Sequence, residues 1–231
     1  VAHSFPTRRS SDLTKLNGDF PMFGNQKIPK DIDDKMVDVV KLKVFTTLQD
    51  DGYRQCPACE NTIEIVRSLA NATSKLEFEE ISILKDKAAA NKFKVTRAPT
   101  IIIQGHGIRY TGAPIGQETA PFIYTIIMAS QGTSIFGDTL IGKLGNLKRA
   151  RLTLLVTPTC PYCAQAVLIE NSLVMDSEKN LSIDIVETYE NPDIARQYNV
   201  TGVPVTVFNG NPLDTIVGVP TLGALLQKLR S

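Results

Sequence analysis

The chain has 231 residues, enough for one large domain or two of ordinary size. It is 42% hydrophobic and 21% charged, as a globular protein is, and a formal net charge of +1 supplies no electrostatic drive toward nucleic acid or an anionic membrane. Apolar runs such as residues 123–129 are too short to span a bilayer, and four cysteines are too few for a disulfide-stapled scaffold.

Taken in chain order, residues 1–13 (VAHSFPTRRSSDL) come first and lack the apolar core of a signal peptide. Residues 3–13 look like the translation of sequencing-adapter DNA, so 1–13 is set aside as an artefact outside the fold, leaving His106 as the one histidine to weigh. Residues 31–40 predict a leading helix. KLKVFTT (41–47) is a β-branched, apolar run and predicts a strand. A polar stretch, LQDDGYRQ (48–55), then leads into Cys56-Pro-Ala-Cys59, followed by a helical pattern in Ile63, Val66 and Leu69. A second strand (75–84), a short helix, Pro99, a β run (100–104), a GHG turn (105–107), a strand ended by Gly112 and a helix over 117–130 complete this stretch. Residues 133–150 predict a connecting helix, or the leading helix of a second unit.

From residue 151 the chain repeats the same unit. KLKVFTT pairs with RLTLLVT (151–157), QCPACENTIEIV with TCPYCAQAVLIE, KLEFEEISIL with NLSIDIVETY (180–189), and NKFKVTRAPTIII with RQYNVTGVPVTVF. The first cysteine precedes the proline by 43 residues in one copy and 44 in the other. Four blocks in order at near-constant spacing mean two copies of one supersecondary unit. The second copy continues through a helix with Val167, Leu168 and Leu173, an alternating strand (Leu181, Ile183, Ile185), Pro204, a β run (205–208), an NGN turn, Gly218 and a final helix over 222–230. Each unit reads β-α-β-α-β-β-α, an α/β module with a mixed central sheet flanked by helices. The predicted division is 14–131 for the first unit and 132–231 for the second, packed together because no Pro- or Ser-rich tether separates them.

The cysteine pairs admit three readings. Two CxxC half-sites would make a four-thiolate zinc or iron–sulfur site, but zinc motifs place the halves roughly 15–20 residues apart, whereas Cys56 and Cys160 are 104 positions apart in different copies. A structural disulfide closing so small a loop removes little unfolded-state entropy. A redox pair explains the placement: a cysteine at a helix N-terminus is favoured as thiolate, and thiolate is the attacking species in disulfide exchange. Cys56 and Cys160 are therefore the predicted nucleophiles, with Cys59 and Cys163, one turn on, resolving. Proline at the next position suits the first helical residue. Ala98-Pro99 and Val203-Pro204 each stand just before a strand, where proline normally weakens pairing; their matched spacing predicts cis bonds that present the backbone of Ala98 and Val203 to substrate. Tyr162, between Cys160 and Cys163, is expected to contact substrate too.

CPYC beside VTGVP resembles the thioredoxin/glutaredoxin superfamily. The two fused units, with TRAPTIIIQ…RYTGAP in the first and LLVTPTCPYC…YNVTGVPV in the second, are similar to the tandem protein disulfide oxidoreductases of thermophilic archaea and bacteria. That resemblance, over about residues 30–231, implies two thioredoxin-like domains and dithiol–disulfide exchange on protein substrates. It implies a cytoplasmic setting, a flavin-dependent thioredoxin-reductase-like electron donor, and no cofactor beyond the redox-active disulfides Cys56–Cys59 and Cys160–Cys163. The carried-over site is Cys56, Cys59 and Pro99 in one copy, Cys160, Cys163 and Pro204 in the other. The double unit also resembles the N-terminal region of the flavoprotein that reduces alkyl hydroperoxide reductase, an electron relay; glutathione use and a metal-binding scaffold are further alternatives.

Thioredoxins keep a buried aspartate on the strand before the CxxC. Leu154 and Val44 stand there, so Glu80 and Glu187, on the following strands, are the substitute proton-relay candidates. The sites are not expected to be equivalent. Glu60 and Glu64 would oppose a thiolate at Cys56, whereas the second copy has no charge until Glu170. Cys160 is the expected principal nucleophile.

Overall fold

The computed structural model describes residues 28–140, 144 and 147–230. The set-aside segment 1–13 lies outside the described residues.

The first unit runs α1 (Ile32–Lys35), β1 (Val40–Thr46), α2 (Pro57–Ala72), β2 (Leu76–Ser82), α3 (Lys87–Lys92), β3 (Thr100–Ile103), β4 (Ile108–Thr111) and α4 (Thr119–Gln131). The second runs β5 (Ala150–Val156), α5 (Pro161–Asp176), β6 (Leu181–Glu187), α6 (Pro192–Gln197), β7 (Val205–Phe208), β8 (Thr215–Val217) and α7 (Leu222–Arg230). Both follow the β-α-β-α-β-β-α order expected from the repeat, and Gly112 and Gly218, both at positive φ, end β4 and β8. The expected leading helix over 31–40 is shorter: α1 has four residues, because Val40 is already paired with Leu76 in the sheet. Across 133–150, the described residues form one 3-10 turn, Gly137–Leu140, rather than an α-helix; the rest of that prediction falls partly outside the described residues.

The strands make one eight-stranded sheet, ordered β2-β1-β3-β4-β6-β5-β7-β8. Each unit contributes the same four-strand order, and the seam is a parallel pairing of β4 with β6 (Ile108↔Ile183 to Thr111↔Val186). One hydrophobic cluster runs through both halves, from Val44, Ile63 and Val66 to Leu154, Val167 and Leu173. The two CxxC helices are packed differently. α2 shows solvent a polar face (Glu60, Glu64, Arg67) and buries Ile63, Val66 and Leu69. α5 lies against the sheet and is also covered by α4 of the first unit, so even Glu170, Asn171 and Ser172 are buried. Asn171 donates to the Tyr110 hydroxyl and to Thr125 Oγ1, both 2.9 Å, pinning α5 to the first unit through a buried polar cluster.

Candidate active sites

Cys56 and Cys160 are the N-caps of α2 and α5, each with proline at the first helical position, as the spacing predicted. Cys56 and Cys59 form a disulfide with Cα atoms 5.4 Å apart, while Cys160 and Cys163 are free thiols. In both pairs the second cysteine is buried and the first half-exposed. The Cys160 sulfur accepts a hydrogen bond from the Cys163 N–H at 3.3 Å, one of the donors left open by the helix start. It also donates to the carbonyl of Val203 at 3.6 Å. Both X-Pro bonds, Ala98-Pro99 and Val203-Pro204, are cis. The Pro99 and Pro204 carbonyls accept from Gly112 and Gly218 respectively, each at 2.9 Å, so the two loops are built alike. Tyr162, two residues after Cys160, is exposed, as is Tyr189, whose hydroxyl meets Thr159 Oγ1 at 3.4 Å. Among the described residues no group of three or more His, Cys, Asp or Glu side chains is placed to hold a metal ion.

The acid–base surroundings differ between the sites. Under the second, burial above all pushes the Cys163 thiol well above its ordinary value, with its hydrogen bond to Cys160 and the charge of Glu118 adding to the effect. Glu118, just ahead of α4 in the first unit, is 2% exposed, and neither carboxyl oxygen has a hydrogen-bond partner among the described residues. Burial, helped by the charge of Glu187, raises its pKa to about 8. Glu187 is buried as well, its oxygens accepting from the N–H groups of Tyr189 (2.9 Å) and Glu190 (2.7 Å). Glu187 is named from the sequence as a relay candidate; Glu118 is not. Aligned residues explain this: Ala224 stands in the second copy where Glu118 stands in the first, so the repeat gives no matching acid in the second unit. The available signal was a lone acid, IGQETAPF, heading an otherwise apolar helix.

Glu80, the other named carboxylate, is clamped. Thr46 Oγ1 donates to it at 2.6 Å, and Arg54 donates from Nε and from a terminal guanidinium nitrogen, both at 2.7 Å. Burial pushes its carboxyl up, but those bonds and the Arg54 charge outweigh it and hold the pKa below its usual value. Arg54 also binds Glu60 at 2.8 Å, so the charge of Glu60 is met rather than left to oppose Cys56, whereas Glu64 lies outside this clamp, exposed to solvent. The 48–55 stretch closes as a small β-bridge between Leu48 and Arg54, just ahead of Cys56. Thr47 Oγ1 accepts from the Cys56 N–H at 2.8 Å and lies 4.0 Å from the Cys59 sulfur. Arg97, beside Pro99, pairs with Asp193 of the second unit, and His106 sits in the β3–β4 turn at the far end of β3 from Pro99.

The thioredoxin-domain family profile matches residues 151–230. A probable thioredoxin of Archaeoglobus fulgidus is 39% identical over 80 residues, 34% of this chain and 85% of that protein. The chain belongs to the thioredoxin family. A second thioredoxin, from Methanocaldococcus jannaschii, is 25% identical over 84 residues, 36% of this chain and 96% of that protein. Both units together are similar to a protein disulfide oxidoreductase from Aeropyrum pernix, with a TM-score of 0.74 and 29% identity over 87% of this chain and 89% of that one. The N-terminal domain of alkylhydroperoxide reductase AhpF from Enterococcus faecalis shares the fold, with a TM-score of 0.74 at 16% identity over 87% of this chain and 95% of that one. This thioredoxin-family chain is a disulfide oxidoreductase with two CxxC-bearing thioredoxin-like units.

Proposed function

We propose that the chain catalyses dithiol–disulfide exchange on protein substrates, and that the second pair is the principal working site. One observation carries the reading: the Cys160 sulfur stands at the start of α5, facing the Val203 carbonyl, with Cys163 buried behind it beside Glu118. In reduction of a substrate, the Cys160 thiolate attacks one sulfur of the substrate disulfide. A sulfur–sulfur bond forms, the substrate bond breaks, and its other sulfur leaves as thiolate. Cys163 then loses its proton and attacks the Cys160 sulfur, expelling the second substrate sulfur. The substrate has gained two electrons and the Cys160–Cys163 pair is a disulfide. Ionised Glu118 takes the Cys163 proton, and in the reverse direction returns it; Glu187, tied to two backbone N–H groups, keeps the Glu118 proton tightly held. The backbone at Val203-Pro204 and the exposed ring of Tyr162 bind the substrate chain next to the attacked sulfur, as Ala98-Pro99 does at the first site.

Cys56 and Cys59 form a second exchange pair, served by a clamped Glu80 in place of a mobile proton carrier. The units divide near residue 131, where Gly132 caps α4 in the left-handed conformation. The resemblance to two-unit oxidoreductases supports a cytoplasmic, thioredoxin-reductase-like flavoprotein as electron donor, with no cofactor beyond the two cysteine pairs. A relay role for a peroxide-reducing system has only a likeness of fold behind it. Insulin-disulfide reduction tests the reading. Cys160→Ser should remove most of the parent rate and Cys56→Ser a minor part; a Cys160→Ser variant as active as the parent would overturn the assignment.

A further inference from the structure

The first site carries a device that the second lacks. Arg54, whose side chain is only 10% exposed, is held at the foot of the Leu48–Arg54 bridge and reaches two carboxylates at once: Glu80 on β2 and Glu60 on α2. Glu60 is one turn along α2 from the N-cap Cys56, the spacing at which helix side chains face each other. The Arg54 guanidinium thus pairs, at 2.8 Å, with a carboxylate in the first turn of the helix that Cys56 caps. Thr46, which shares Glu80 with Arg54, is next to Thr47, whose hydroxyl accepts from the Cys56 N–H. One cation and two anions thus form a single bonded cluster, joined through adjacent Thr46 and Thr47 to the backbone N–H of the predicted nucleophile.

We propose that Arg54 is the positioning residue that sets the reactivity of Cys56, by neutralising Glu60 and Glu80 and holding the 48–55 loop across the start of α2. The inference rests on the exchange reading of the first pair. Other charged groups near the cluster are Glu64 and Arg67 on α2, Asp50 and Asp51 in the loop, and Lys85 beyond β2; Lys85 pairs with the exposed Asp50, and Arg67 adds positive potential at Glu80. None of these bridges α2 to β2 as Arg54 does. Without it, the carboxylates of Glu60 and Glu80 are left without their shared cation, and their negative charge near the start of α2 disfavours the thiolate.

The test uses the full chain with Cys160→Ser and Cys163→Ser, so that Cys56 is the reactive thiol read after reduction. Iodoacetamide alkylation of Cys56 is followed from pH 5 to 10. Arg54→Gln should move the midpoint of the rate profile upward by about one pH unit, roughly a tenfold loss of alkylation rate near neutrality. Arg54→Lys, which keeps the charge without the fork, should recover most of the parent profile, and Glu60→Gln in the Arg54→Gln background should move it back down. A merely structural arginine predicts otherwise. An Arg54→Gln profile superimposable on the parent, or one shifted equally by Arg54→Lys and untouched by Glu60→Gln, overturns the proposal. These readouts need no protein substrate. Failure of the first pair in insulin reduction would count against the exchange reading alone.

Discussion

At the scale of single residues, the two thioredoxin-like sites are alike in their sulfurs and unlike in their carboxylates. Glu118 is an acid with no hydrogen-bonding partner for either oxygen among the described residues, and its charge acts on Cys163, whose proton we propose it carries. An unpaired buried carboxylate is costly, so burial lifts the Glu118 pKa to about 8, leaving it part-ionised near neutrality. Glu118→Gln keeps the shape and removes the proton function. Resolution of the Cys160 mixed disulfide should slow by about 100-fold, a typical general acid–base contribution, while Cys160 attack on substrate is nearly unchanged. Trapping the mixed disulfide by acid quench checks this: it should accumulate in the variant. Glu80, paired with Arg54 and held low, cannot exchange a proton near neutrality in the same way.

At the scale of elements, the second site depends on a turn from the other unit. Residues 116–118 of the first unit precede α4 and dock on the loop before Cys160, where the Gln117 N–H donates to the Pro158 carbonyl at 2.8 Å. Gly116 is at φ +60, and a Cβ there would collide with the Pro158 carbonyl oxygen. Only glycine combines that backbone conformation with so close an approach. Gly116→Ala should destabilise the chain by about 1–3 kcal/mol and slow exchange at Cys160, leaving Cys56 alkylation at the parent rate. Thermal unfolding and site-resolved alkylation measure the two effects separately. The corresponding loop of the first unit is closed by its own Arg54 clamp instead.

At the scale of the whole molecule, the β4–β6 seam and the α4–α5 contact make two repeats into one folded body, and they bury ionisable groups in doing so. Glu170 on α5 is fully buried, accepts from Thr206 Oγ1 at 2.6 Å through one oxygen and has no partner for the other among the described residues. Burial raises its pKa to about 8 despite that hydrogen bond. A carboxyl that ionises near 4.5 unfolded and near 8 folded binds more protons in the native state between those values. Stability is then fullest below about pH 4.5 for this group and falls as pH rises toward 8. Glu170→Gln removes the slope while keeping an acceptor for Thr206. The variant should match the parent near pH 5 and exceed it near pH 8, by an amount on the order of 3–5 kcal/mol. Chemical denaturation at the two pH values checks this, and a gap that does not widen with pH would refute it.

The repeat, both CxxC helix starts, both cis prolines, and strand ends at Gly112 and Gly218 were legible in the sequence because each stems from local chemistry: helix capping, β-branching, turn residues and fixed spacing. The helix expected over 31–40 failed where sheet pairing claims Val40, since tertiary hydrogen bonds outweigh local propensity. Glu187 could be named as a candidate because it sits on its own unit's strand, β6. Glu118 and the Arg54 clamp could not be, because they depend on other elements: the charge of Glu118 acts on Cys163 across the seam, and Arg54 joins a loop, a helix and a strand. Sequence alone thus determined what each thioredoxin-like unit is and which sulfurs it presents. Packing of one unit against the other decided which buried carboxylate acts electrostatically on Cys163, because desolvation is a property of the assembled interior and of no single stretch of chain.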